Sequence, residues 1–181
     1  MRFKHIIILL CPWLASLSIV ASSQHYFRIN NQETVKVFDN SKEAVPYPWA
    51  GGMNSCQFGE VDMNLDGHKD LFIFDRMGDR IMTFINGGGQ GMIDYAFAPD
   101  YAVLFPELFD WVILRDYNND GREDNFTYAK DFPGIIVYKN VSVNSLAFEL
   151  EVYPFLTSLQ GGMQVNILTT NVDYAVIADI D

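Results

Sequence analysis

Downstream of residue 50 the chain is written in short apolar runs cut by polar, glycine-bearing segments. Leu71-Phe72-Ile73-Phe74 and Ile81-Met82-Thr83-Phe84-Ile85 are β-prone runs, with Arg76-Met77-Gly78-Asp79 between them as a turn. The order returns as Phe126-Thr127-Tyr128-Ala129, a turn at Asp131-Phe132-Pro133-Gly134, and Ile135-Ile136-Val137-Tyr138. Asn54 to Val61 and Asp110-Trp111-Val112-Ile113-Leu114 predict the strands that feed these two units, and Tyr174 to Ala178 a further one. Ala147 to Tyr153 alternates and predicts an outer strand. Upstream, Tyr26-Phe27-Arg28-Ile29 and Thr34 to Phe38 alternate as strands, broken by Asn30-Asn31 and Asp39-Asn40-Ser41. Helical spacing is almost absent, so the pattern predicts an all-β protein.

The polar segments between the runs are themselves patterned. Asp62-Met63-Asn64-Leu65-Asp66-Gly67-His68-Lys69-Asp70 sets oxygen-bearing side chains at positions 1, 3, 5 and 9 and glycine at position 6. Asp116-Tyr117-Asn118-Asn119-Asp120-Gly121-Arg122-Glu123-Asp124 repeats the spacing 54 residues later. At the same offset Ile81 maps to Ile135, Phe84 to Tyr138 and Asn86 to Asn140, which makes this a structural repeat. Ala178-Asp179-Ile180-Asp181 starts a third copy, with Asp179 and Asp181 at positions 1 and 3, at an offset of 63 residues from the second. Gln160-Gly161-Gly162-Met163 echoes Ala50-Gly51-Gly52-Met53, each ahead of a loop.

Alternate oxygens on a loop that turns sharply at glycine can surround one hard cation, with position 7 (His68 or Arg122) adding a backbone carbonyl. Ca²⁺ suits such an oxygen-only, flexible shell better than Mg²⁺, which demands tighter octahedral geometry. An Asx-type turn without an ion is the plain alternative. The EF-hand does not fit, because position 12 is Ile73 or Thr127, neither of which chelates, and strands flank the loops.

The loop with its leading Phe58-Gly59 and trailing Leu71-Phe72-Ile73 resembles the FG-GAP/VCBS repeat family, whose hallmark is D-x-[DN]-x-D-G-x-x-D running into a short apolar strand. The second copy departs from it, with Leu114-Arg115 in place of the Phe-Gly and Asn125 where an apolar residue usually follows the last Asp. The resemblance covers about Ser55 to Asp181. It implies β-propeller blades, each a four-stranded antiparallel sheet, with Ca²⁺ loops between strands. The implied ligands are Asp62, Asn64, Asp66, His68 and Asp70; Asp116, Asn118, Asp120, Arg122 and Asp124; and Asp179 and Asp181. Propellers close with ~4–8 blades. The chain is therefore expected to be the N-terminal piece of a longer protein.

Residues 1–23 read as an export signal, with Arg2 and Lys4 before an apolar Ile6 to Val20 and small residues Ala21 and Ser23 before Gln24. The apolar run is short and interrupted for a membrane span of ~20 residues. An uncleaved anchor is the alternative. Cleavage takes two basic residues and no acidic one, leaving 10 basic against 23 acidic residues and a formal charge of −13. That charge argues against nucleic acid and anionic membranes as partners and suits a cation carrier. Cys56 is then the one cysteine left, so no intrachain disulfide can form, and a small buried hydrophobe is its expected role. Residues 24–54 are expected to be an N-terminal β segment leading through the turn-rich Pro46 to Gly52. There Tyr47 and Trp49 fit blade-edge packing better than stacking on a sugar.

No nucleophile elbow, H-E-x-x-H motif or Cys-His pair stands in the chain. Gly87-Gly88-Gly89-Gln90-Gly91 lacks the Lys-Ser/Thr of a phosphate loop and reads as a connection between strands. Asn125-Phe126-Thr127 and Asn140-Val141-Ser142 fit the N-glycosylation pattern, which also arises by chance. The expected function is a non-catalytic, exported calcium-binding module for adhesion or binding, with an extracellular protein or carbohydrate ligand. The alternative is the propeller portion of a secreted polysaccharide-degrading enzyme.

Overall fold

The structure is a computed structural model that describes residues 36–48, 50–88, 92, 94–173 and 175–177. The leader read over 1–23, the Tyr26–Ile29 run, Trp49, and the third-loop residues Asp179 and Asp181 lie outside the described residues.

Strands β1 (Cys56–Val61), β2 (Asp70–Asp75), β3 (Arg80–Asn86) and β4 (Tyr95–Phe97) form one antiparallel sheet in chain order. Strands β5 (Val112–Arg115), β6 (Asp124–Tyr128), β7 (Ile135–Asn140) and β8 (Phe148–Val152) form a second with the same order. A hairpin of β9 (Thr157–Gln160) and β10 (Met163–Asn166) follows. The protein is thus all-β, with one 3-10 segment over Pro99–Leu104 among the described residues. Neither four-stranded sheet closes on itself.

The two sheets are copies in register. Val61 pairs with Asp70 at the mouth of the first hairpin, and Arg115 with Asp124 at the mouth of the second. This register makes Val112-Ile113, and not Leu114-Arg115, the equivalents of the Phe58-Gly59 of the first copy. The glycine pairs differ from their expected equivalence. Gly161-Gly162 turns the β9–β10 hairpin, whereas the carbonyls of Gly51 and Gly52 accept from Arg80 Nη2 at 3.0 and 2.8 Å. Ala175 to Ile177 forms no strand, although a strand was expected there.

Strand alternation sends successive side chains to opposite faces, and each sheet uses both. On the first sheet, Ile73, Met82 and Phe97 pack with Met53 and Cys56 on one face. Phe72 and Phe74 on the other join Val112 and Leu114 of β5, with Phe105, Leu108 and Leu146. The second sheet's far face carries Phe126, Ile135, Val137 and Trp111, covered in part by Ala175 and Ile177. One core layer is therefore shared between the two sheets. β1 approaches β5 closely enough that a Cβ on Gly59 would lie 2.9 Å from Leu114 Cδ1. Polar bonds stitch the same junction: Val112 N donates to Gln57 Oε1 (2.8 Å), and Arg76 Nε to the Asp110 carbonyl (2.6 Å).

Asn125 is the polar residue that this layer does not accommodate. It is fully buried on the β6 face toward the first sheet, between Leu114 and Tyr138 in register, and neither end of its amide has a hydrogen-bond partner. Its equivalent in the first copy is Leu71. Asn125→Leu is expected to raise the unfolding free energy by about 1–3 kcal/mol, the usual cost of a buried unpaired polar group. Thermal melts check this, and a lowered midpoint would refute it.

Asp75 closes the β2–β3 turn. Its carboxylate accepts from Ser55 N (3.0 Å), Asn54 N (3.2 Å) and Met77 N (3.2 Å), and Arg80 lies 3.7 Å away. The Ser55 amide above all, with Met77, Asn54 and the Arg80 charge, holds its pKa below the usual value, against some desolvation. A depressed folded pKa adds stability above the unfolded pKa and loses it as pH falls through the folded one. The stability gap between wild type and Asp75→Asn should hold at pH 7 and narrow below about pH 4. A gap unchanged down to pH 2 would exclude the carboxylate's charge as its source.

Candidate metal centre

The two patterned segments are the β1–β2 and β5–β6 hairpin loops, and they fold alike. Asp62 accepts from the backbone N–H of Asp66 (3.1 Å) and Gly67 (2.8 Å). Asn64 Oδ1 accepts from Asp66 N (3.1 Å), and its Nδ2 donates to Asp66 Oδ2 (2.8 Å). Asp66 Oδ1 accepts from His68 N (2.8 Å). In the second loop Asp116 accepts from Asp120 N (3.1 Å) and Gly121 N (2.7 Å), Asn118 bonds Asp120 through both ends of its amide (3.0 Å each), and Asp120 Oδ1 accepts from Arg122 N (3.0 Å). Gly67 and Gly121 sit at φ +86° and +85°, the left-handed region that glycine enters without a Cβ penalty.

The position-9 aspartates differ from the rest. Asp70 and Asp124 are fully buried. Asp70 accepts from Met63 N inside the loop and Asn86 N at the end of β3, both at 2.8 Å. Asp124 does the same with Tyr117 N (2.7 Å) and Asn140 N (2.6 Å). Burial pushes the pKa of both up, against the pull of these amides. The position-5 groups shift the other way. The Asn64 amide, then the His68 N–H, holds Asp66 low; at Asp120 desolvation is outweighed by the Asn118 amide and the Arg122 N–H.

Within each loop the side chains at positions 1, 3 and 5 share one hydrogen-bond network, while the carboxylate at position 9 bonds separate backbone amides. His68 is half-buried, and its N–H, like that of Arg122, serves the position-5 carboxylate. Among the described residues, no group of three or more His, Cys, Asp or Glu side chains is gathered closely enough to hold an ion. The donor chemistry does fit a hard cation. Every side chain at positions 1, 3, 5 and 9 ends in oxygen, and a carboxylate oxygen with one N–H partner keeps further lone pairs.

The two loops face each other. Lys69 and Glu123, both at position 8 and 54 residues apart, form an ion pair. A cleft of about 300 Å³ lies between the loops, lined by Asp62, Gly67 and Lys69 on one side and by Gly121, Arg122 and Glu123 on the other. The functional part missed in the sequence is the backbone of Asn86 and Asn140. Their alignment across the repeat was legible, but not that each N–H anchors a buried carboxylate.

No protein-family model, curated protein or solved structure matches this chain.

Asp70→Ala strands the buried Met63 N–H and the partly buried Asn86 N–H, Asp66→Ala only exposed groups. Without metal, Asp70→Ala should cost about 2–6 kcal/mol, roughly 1–3 for each stranded donor, and Asp66→Ala about 1 kcal/mol. Urea unfolding in EDTA measures both, and equal losses would refute the distinction.

Proposed function

We propose that this chain is an exported, non-catalytic calcium-binding module built of FG-GAP/VCBS-like propeller blades, with Ca²⁺ in a structural role. The observation that carries the reading is the duplicate loop. Two copies in the same hairpin position share one oxygen pattern, one internal hydrogen-bond network and one left-handed glycine. Two four-stranded sheets stacked through a shared apolar layer support the blade part of the reading. Asp62, Asn64, Asp66 and Asp70 would hold one ion, and Asp116, Asn118, Asp120 and Asp124 a second. The bound ion supplies charge neutralisation to loops whose carboxylates otherwise repel one another. The net negative charge disfavours nucleic acid, and the proposed ligand is an extracellular protein or carbohydrate.

The test is a calorimetric and thermal titration of the metal-stripped protein. Ca²⁺ should bind in preference to Mg²⁺ and stabilise the fold by about 2.7 kcal/mol per site at a hundredfold excess over the dissociation constant. Asp66→Ala should forfeit most of the Ca²⁺-dependent gain at its site while losing little in EDTA. Absence of both binding heat and a midpoint shift would end the calcium reading.

A further inference from the structure

We infer that N-glycosylation of this chain and formation of its second sheet are mutually exclusive, so that Asn125 and Asn140 can take a glycan only on an unfolded chain. The inference stands on burial and hydrogen bonding and does not depend on calcium. Both acceptor patterns, Asn125-Phe126-Thr127 and Asn140-Val141-Ser142, lie on strands or strand ends of that sheet.

In the transfer, the asparagine amide nitrogen attacks C1 of a lipid-diphosphate-linked oligosaccharide. The C1–N bond forms, the C1–O bond to the diphosphate breaks, the amide loses one proton, and the lipid diphosphate departs. The amide must therefore reach out of the chain, and the hydroxyl two residues on must be free for the transferase. Here Asn125 is fully buried in mid-strand. Asn140 is 3% exposed, with Nδ2 donating to the Glu123 carbonyl (3.1 Å) and Oδ1 accepting from Ser142 N (3.1 Å). The hydroxyls are engaged as well. Thr127 Oγ1 donates to the Phe109 carbonyl (3.0 Å) and accepts from its N–H (2.9 Å). Ser142 Oγ accepts from Ala147 N (3.0 Å).

A glycan on Asn125 would have to sit in the apolar layer between the sheets, where a hydrated sugar cannot be accommodated. A glycan on Asn140 would displace the amide that ties β7 to Glu123 beside the second loop. In the folded chain Thr127, Asn140 and Ser142 are held by hydrogen bonds, and Asn125 is enclosed by burial alone. Export through a pathway that glycosylates unfolded chains would then block folding, so the export proposed above needs a route that spares these sites.

The test translates the full chain behind a cleavable leader in the presence of microsomes carrying their own lipid-linked oligosaccharide, with and without a competing acceptor tripeptide. Val137→Asp, which breaks the core of the second sheet and keeps both patterns, runs in parallel. Two results support the inference. Either wild type stays unmodified while Val137→Asp is glycosylated, or wild type is glycosylated and its glycoform is digested by trypsin at least tenfold faster than the glycan-free chain. Two results overturn it: a glycoform as protease-resistant as the glycan-free chain, or failure of Val137→Asp to be modified, which would make the sites poor acceptors whatever the fold.

Discussion

A buried carboxylate joins loop to sheet in each half of this molecule. Asp70 and Asp124 each give one oxygen to an N–H inside the loop and the other to an N–H at the far end of the third strand. Burying a carboxylate is costly, and two charge-assisted bonds offset that cost only if both amides stay in place. The loop cannot open without stranding the charge, nor can β3 or β7 slip against β2 or β6. The third-strand asparagine then passes the constraint on. Asn86 Oδ1 accepts from Gly88 N and Asp94 N, ahead of β4. Asn140 Oδ1 accepts from Ser142 N, and the Ser142 hydroxyl from Ala147 N, ahead of β8. One carboxylate thus fixes the loop, the strand register and the path to the outer strand.

The junction between the sheets is held by a different physics. Its core is a layer of aliphatic and aromatic side chains from both sheets, non-directional and tolerant of exchange. Direction comes from the margins. The Lys69–Glu123 pair bridges the loops, Gln57 reaches the β5 backbone, and Arg76 spans from the first sheet to the Asp110 and Asn171 carbonyls. The ion pair is half exposed on its lysine side, so its worth is about 0–1 kcal/mol and its role is one of alignment.

The sequence made the elements legible where two signals agreed. Apolar runs of four or five residues, a turn between them and a repeat offset of 54 residues placed β2, β3, β6 and β7. β8 was visible through alternation. Three features were not visible. β4 is three residues long, too short to show a period, and the 3-10 segment over Pro99–Leu104 carries no amphipathic spacing. The Gly161-Gly162 turn looked like Gly51-Gly52 because each pair precedes a Met in the same Gly-Gly-Met order, and both pairs do hold positive φ, yet one closes a hairpin and the other is held by Arg80. In the candidate site, the oxygen pattern was legible from side-chain type alone. The anchoring N–H groups were not, because a backbone donor carries no residue signature.

The two copies share a frame yet are not interchangeable, and the reason lies at their contact. Position 59 is glycine where Leu114 of the neighbouring sheet presses on β1, and its equivalent, Ile113, points to the second sheet's far face, which Ala175 and Ile177 cover in part. A small residue met by a large one fixes how the sheets slide, since moving β5 by one residue would turn Leu114 away from the gap. Asn125 lies beside the same contact, in register with Leu114, in a place where Leu71 stands in the first copy. The repeat therefore conserves what closes each loop, namely the aspartates, the glycine and the strand-end asparagine. It varies what meets the neighbouring sheet, because loop closure is local to one hairpin while the apolar layer must match a different surface each time.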